Sequence, residues 1–329
     1  LTMYNRNNNQ GNNAQQKPEY VLQRANDLIK TAMGTGEREK RTALEHLHAH
    51  ISVKQRSRSL QWNKVYETLM KRHLELCVDL RDDRTAKDGL HQYRNLSQQM
   101  DPNTLETVVL YLIDLAEARA LSAKSKADSV ALAAAAKIQD LDQEESPESI
   151  MLSSMTDEGS RDRTDREVFL PWLKFLWEIY RAILELLYKN AKLEKVYHHA
   201  ATKAFKFCQD CQRTAEFKRL CNMLRDHLVN LQRQAASDRN RTDKDQQQSR
   251  RTPWEWTAEA VEYHLQTRFN QLEVATTLEP WNEGFKTVEE IYAIILIGRK
   301  TPKPKIMATY YEKLTRIFWV SDNHLFHAY

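Results

Sequence analysis

Glycine occurs only 7 times in 329 residues, about 2% against a background usage near 7%. Hairpin turns, bulges and phosphate-cradling loops depend on glycine because it takes positive φ without a steric cost. A chain this poor in glycine has too few corners for a many-stranded sheet, which disfavours barrels, sandwiches and doubly wound folds. With 41% hydrophobic and 29% charged residues, it has ordinary material for a buried core. The expectation is therefore an all-α chain of about two domains or one long repeat array. Lys and Arg number 49 and Asp and Glu 45, a net charge of +4, so any footprint for an anionic partner must come from local clustering. Four cysteines cannot form a disulfide framework and point to a reducing compartment. No apolar run approaches the roughly 18 residues of a membrane span, and the Asn-rich start is not a signal peptide. A cytoplasmic protein without membrane contact is expected. Beginning at Leu1 and ending in NHLFHAY, the chain reads as a piece of a longer protein.

Along the chain, nine of the twelve residues from Asn5 to Gln16 are Asn or Gln, which marks residues 1–17 as a tail with no apolar face to bury. Helical periodicity begins at Pro18, a residue suited to a first helical turn. It organises residues 18–139 as helical repeats, with helices from Leu60 to about Leu80, Thr85 to Met100 and Asn103 to about Asp140. Seven acidic and no basic residues between Asp140 and Glu158, followed by RDRTDR, mark 140–166 as a polar linker. A second helical block covers 167–234. There Phe169, Leu173, Leu176, Tyr180, Ile183 and Leu187 are spaced by four, three, four, three and four residues, and Trp172, Phe175 and Ile179 widen the stripe past half the circumference. Such a helix must be covered by several neighbours. Further helices fit Lys192 to Gln212 and Thr214 to Gln234. Residues 235–256 read as a second polar linker, and 257–329 as helices over Thr257 to Leu278, Glu283 to Ile297 and Lys305 to Val320. The run Ile291 to Ile297 alone would also suit a buried strand, but the spacing of Phe285, Val288 and Ile291 favours helix. Stacked helix pairs are the natural architecture, although no repeat consensus is visible.

Chemistry-bearing motifs are scarce. Gly34-Thr35-Gly36 comes nearest to a phosphate loop, but Glu39 stands where a third glycine is needed, leaving a turn between helices. Cys208 and Cys211, with Cys221 and His227 downstream, look like half a zinc site, yet they sit inside a helical pattern and read better as buried thiols. His46 and His50 share a predicted helix face while His48 points away. No zincin-spaced carboxylate follows them, so a solvated or partly packed surface is expected, and the same for His198-His199. No nucleophile elbow occurs. Catalytic residues, cofactor and metal are all expected to be absent. Basic clusters are the remaining candidates: Lys54, Arg56 and Arg58; Arg213, Lys218 and Arg219; and Arg299, Lys300, Lys303 and Lys305 in the proline-stiffened connector RKTPKPK. Lys and Arg near phosphates supply salt-dependent affinity for RNA.

At the aromatic helix the sequence resembles a known family. The stretches SPESIMLSSMTDEGSRDRTDREVFLPWLKFLWEIYRAILELLYKN, YHHAATKAFKFCQDCQRTAEFKRLCNMLRDHL, LELCVDLRDDRTAKDGLHQYRNLSQQ, KPEYVLQRANDLI and KTPKPKIMATYYEKLTRIFWVSDNHLFHA resemble the large PCI-domain component, the A subunit, of eukaryotic translation initiation factor 3. The match runs in register through loops as well as helices. The resemblance implies a right-handed helical-repeat, TPR- or HEAT-like solenoid leading toward a winged-helix module that this stretch would not include. It also implies a scaffold without enzymatic activity or a small-molecule substrate. The partners it implies are the other factor subunits, especially the C subunit, the proteins and rRNA of the small ribosomal subunit, and mRNA near its exit site. Such a scaffold supports 43S preinitiation complex assembly and mRNA recruitment. Lys54, Arg56, Arg58, Arg299, Lys300, Lys303 and Lys305 are the candidate RNA or ribosome contacts. A PCI scaffold of a proteasome-lid or signalosome assembly is the alternative, and a stand-alone RNA-binding protein using the basic connector is the third reading.

Overall fold

In the computed structural model of the chain the described residues are 18–31, 36–53, 64–97, 103–126, 169–239, 256–297 and 303–328. The Asn/Gln-rich tail, the acidic segment 140–166 and most of the connector after Ile297 lie outside them. No strand occurs among the described residues. The helices are α1 (Pro18–Thr31), α2 (Glu37–Val53), α3 (Val65–Leu80), α4 (Asp83–Ser97), α5 (Asn103–Lys126), α6 (Leu170–Leu187), α7 (Glu194–Asp210), α8 (Thr214–Arg239), α9 (Ala258–Leu278), α10 (Trp281–Ile297), α11 (Pro304–Val320) and α12 (His324–Ala328), with a short 3-10 turn at Ala191–Leu193. Ile291 to Ile297 is thus helical. Helix α8 runs five residues past the end expected at Gln234, and Ala235 is buried there.

Helix ends follow the local chemistry. Asp82 accepts from the Thr85 amide (3.1 Å) and the Thr85 hydroxyl (2.7 Å), capping α4. The Thr257 hydroxyl accepts from the Ala260 amide at 3.1 Å to start α9, and Pro304 occupies the first turn of α11. Glycine is absent from the corners where it is usual. The turns after α3, α7, α9 and α11 place Arg81, Gln212, Glu279 and Asp322 at positive φ, between 54° and 64°. In each the chain reverses with a side chain in the left-handed region, at a cost of roughly 1 kcal/mol.

The chain divides into two compact units, the first holding the described residues up to 126 with 169–186, the second those from 187 onward. In the first unit each helix from α1 to α5 meets the next and, for α1 with α3, α2 with α4 and α3 with α5, the one after it. That is the contact pattern of stacked helix pairs. Helix α6 closes the unit with the aromatic stripe read from sequence. Trp177, Tyr180 and Ile183 are almost wholly buried, Tyr180 donates to Glu117 of α5 at 2.6 Å, and Lys87 of α4 pairs with Glu185 at 3.0 Å. Burial of each such side chain stabilises the stack by about 1.5–3 kcal/mol.

His73 on α3 marks the closest approach in this unit. Its ring is fully buried, stacks on His48 of α2 at 5.5 Å, and lies 3.8 Å from Cys77 Sγ through Nδ1. A Cβ on Gly89 of α4 would come within 2.6 Å of the ring. Glycine is therefore required at this mid-helix position for sterics, against its propensity cost of about 1 kcal/mol. Burial, with a smaller contribution from His48 and an opposing one from Asp82, pulls the His73 pKa down to about 3, so the native imidazole is neutral near pH 7.

In the second unit α9 is central, touching α7, α10 and α11. Leu228, Leu265, Leu272, Ile291, Ile294, Tyr310 and Ile317 form its core cluster. A polar network crosses the same core. The Arg268 guanidinium contacts Glu290 (3.1 Å), Gln271 (2.5 Å) and the Leu224 carbonyl (3.0 Å). Arg225 of α8 reaches Glu290 (2.6 Å) and Glu283 (3.0 Å) of α10, and Gln271 donates to Thr287 at 2.7 Å.

Two outcomes follow for the first unit. Gly89→Ala is expected to destabilise it by about 1–3 kcal/mol despite alanine's better helix propensity, because the buried His73 ring has no room to retreat; denaturant unfolding measures this. Between pH 6.5 and about 3 the unfolded chain binds a proton at His73 that the native state excludes. Stability should accordingly fall as pH drops below 6.5, and His73→Gln should flatten that slope in the same titration.

Candidate functional site

Of the seven basic residues singled out by sequence, Lys54, Arg56, Arg58, Arg299 and Lys300 lie outside the described residues. Lys303 and Lys305 are exposed at the start of α11. The Lys303 side chain is 72% exposed and its ammonium lies 3.3 Å from Glu262 of α9, itself 54% exposed. A pair this open to solvent contributes little to stability. The first turn of α11 contains no acidic residue, although carboxylates are the charges favoured at the positive end of a helix dipole. Helix stability therefore gives no reason for lysines at this place.

The cluster of Arg213, Lys218 and Arg219 is not one surface. Lys218 is exposed and Arg219 half-buried, while Arg213 is buried beside Glu216. Burial lowers the Arg213 pKa and the Glu216 charge opposes that shift. Cys208 and Cys221 are buried thiols whose pKa values are pushed up by desolvation, and Cys211 is half-buried at the helix end. On α2, His46 is exposed, His50 stacks on Tyr66 with nearly parallel rings 6.3 Å apart, and His48 stacks on His73.

The expectation for His198-His199 is half corrected. His199 is exposed, but His198 is 5% exposed, because it is followed on its face by Ala201 and Phe205, which turn that side of α7 into the core. Its Nδ1 lies 2.6 Å from the Thr267 hydroxyl of α9, and its Nε2 faces Glu194 Oε1 at 3.9 Å. His264 Nε2 approaches the same oxygen at 3.4 Å. Burial draws the His198 pKa down to about 4 and lowers that of His264 as well. Adjacent histidines in sequence hid this grouping, since its third member comes from another helix.

A surface that periodicity did not reveal lies on the last three helices. Nine large apolar side chains are exposed among the described residues, and seven of them belong to α10, α11 and α12. They include Tyr292, Leu296, Tyr311, Trp319, Leu325 and Phe326, with Leu325 at 80%. Helix α11 buries only Tyr310 and Ile317. Helix α12 is held by Phe326 stacking on Phe318 (5.5 Å), by Trp319 beside His327 (5.0 Å) and by His327 against the Thr315 carbonyl (2.9 Å). Large exposed apolar side chains concentrated on three successive helices are more than the single scattered hydrophobics that any surface carries. None of the described helices is long and apolar enough to cross a membrane.

Comparison with known proteins bears on the whole chain. The family described as eIF3a, PCI domain, TPR-like region matches residues 19–329. Relatives named as the A subunit of eukaryotic translation initiation factor 3 are similar throughout: 44% identical over 313 residues in Arabidopsis thaliana, 43% over 313 in Nicotiana tabacum and 45% over 319 in Coccidioides immitis. Each alignment covers 95% of this chain and 29–30% of the relative, so the chain spans about three tenths of the length of the curated relatives it matches.

Because Leu296 and Leu325 touch solvent rather than core, replacing both by Ser should leave unfolding free energy within about 0.5 kcal/mol of the parent. The same change should lower the binding of a hydrophobic reporter dye by the native protein, read by fluorescence titration.

Proposed function

Since the chain belongs to the eIF3a family of translation initiation factor 3 components, we propose that it serves as a non-catalytic scaffold of that factor in the cytoplasm. In this reading it binds the small ribosomal subunit near the mRNA exit and supports 43S preinitiation complex assembly and mRNA recruitment. The observation that carries the reading is the similarity itself, which extends over 95% of the chain. Of the assemblies the sequence left open, the family match is with the initiation factor. The architecture suits the role. Stacked helices contact mainly their neighbours and present long outer surfaces, so each surface can hold a partner without disturbing the next.

Within this reading the apolar rim of α10, α11 and α12 receives a protein partner, with the C subunit of the factor the first candidate. The basic connector Arg299, Lys300, Lys303 and Lys305 meets rRNA or mRNA, as do Lys54, Arg56 and Arg58. Lysines set at a helix start where the dipole disfavours them support the second assignment.

Tagged protein should sediment with purified small ribosomal subunits and capture the factor's C subunit. Reversing the charge at Lys300, Lys303 and Lys305 should weaken sedimentation with the ribosomal particles and reduce its salt slope by about 0.7–0.9 per lost phosphate contact, while capture of the protein partner stays intact. An unchanged salt slope overturns the RNA assignment. Failure to associate with either partner overturns the scaffold reading.

A further inference from the structure

The interaction reading uses none of the polar side chains gathered between α7 and α9. Glu194 and His198 are one turn apart on α7 and share a face, and His264 enters from α9. Glu194 Oε1 stands 3.9 Å from His198 Nε2 and 3.4 Å from His264 Nε2, and the three atoms all lie within 4.8 Å of one another. Among the described residues this is the one group of its kind. The side chains are 6%, 6% and 14% exposed for His198, His264 and Glu194. Rings wall the site: Tyr263 stacks on His198 at 5.8 Å and Trp256 lies 5.3 Å from His264.

The second nitrogen of His198 is already held, at 2.6 Å from the Thr267 hydroxyl. This is how a metal-ligating histidine is usually oriented, one nitrogen fixed by an outer partner and the other aimed at the ion. Glu194 Oε1 and His198 Nε2 are shut off from solvent, and the two imidazole nitrogens stand off that oxygen at 3.4 and 3.9 Å, longer than ordinary hydrogen bonds. A buried carboxylate oxygen met so loosely is stabilised by a cation. Arg268, the nearby charge acting on both histidines, is committed to Glu290, Gln271 and the Leu224 carbonyl. A tetrahedral zinc ion with bonds of about 2.0–2.2 Å sets its ligand atoms about 3.3–3.5 Å apart. The 3.4 Å separation already matches, and the 3.9 Å separation and the two histidine nitrogens, within 4.8 Å of each other, close to that spacing as the ion draws the three side chains together.

We propose that Glu194, His198 and His264 bind one zinc ion through two imidazole nitrogens and one carboxylate oxygen, with water as the fourth ligand, bracing the start of α7 against α9. Imidazole and carboxylate donors without thiolate suit zinc better than the harder magnesium or calcium ions. The ion sits where the three donor atoms already converge.

The test uses the 329-residue chain, stripped with chelator and dialysed against zinc chloride. About one zinc per chain is expected by elemental analysis, with a higher melting temperature in zinc than in chelator. X-ray absorption should show a nitrogen and oxygen shell without sulfur. Glu194→Gln should abolish stoichiometric retention with helicity unchanged by circular dichroism, Thr267→Val should weaken zinc roughly 10- to 100-fold by releasing His198, and Cys208→Ala with Cys211→Ala should retain the metal. Absence of retained zinc, or sulfur in the absorption shell, overturns the proposal. The absorption spectrum is read on the unmodified chain, so it decides the matter even where a variant misfolds.

Discussion

An α-helix satisfies its own backbone hydrogen bonds, so nothing in the main chain is left to hold one helix to the next. In a structure whose described residues contain no strand, every junction between elements is consequently a matter of side chains. The two units meet this requirement differently. The first relies on shape in its interior, through a broad aromatic helix, α6, and the place where His73 is pressed against Gly89, and keeps its interhelical ion pairs, such as Lys87 with Glu185 and Arg119 with Asp79, partly open to solvent. The second brings charge inside. Arg225, Arg268, Glu283 and Glu290 join α8, α9 and α10 within a core that also contains Leu272 and Ile291.

The charged junction is better understood as a device for register than as a source of stability. Taking guanidinium and carboxylate groups out of water is costly, and their attraction repays that cost only when every donor is matched. Here Arg268 contacts a carboxylate, a side-chain amide and a main-chain carbonyl at once. Helix α9 could slide against α8 and α10 by one turn and still bury leucines, but it could not do so and keep those partners. Apolar packing of the first unit obtains the same selectivity from volume, because only a glycine fits opposite His73.

What the sequence made legible was whatever repeats along a single helix. The aromatic stripe from Phe169 to Leu187 and the helical state of Ile291 to Ile297 are local, and periodicity suffices to read them. The groupings that depend on two or three helices were hidden. His198 looked like a surface residue beside His199 because neither Glu194 nor His264 is distinguished until α7 and α9 lie together. Arg213 looked like part of a basic patch because Glu216, which shares its burial, is just another acid in the sequence. The apolar rim of α11 escaped notice for the opposite reason: its spacing resembles that of a core helix, and only the fold shows that more than half of Trp319 stays open to solvent.

The four corners that do without glycine leave the protein with room to improve. Glycine and asparagine occupy the left-handed well with little penalty, and aspartate tolerates it, so Asp322 is already close to its best residue while Arg81, Gln212 and Glu279 are not. Each of those three represents on the order of 1 kcal/mol of thermal robustness left unclaimed. A lineage pressed toward heat would find this reserve in single substitutions at hinges between rods, without touching a core residue or an outer face.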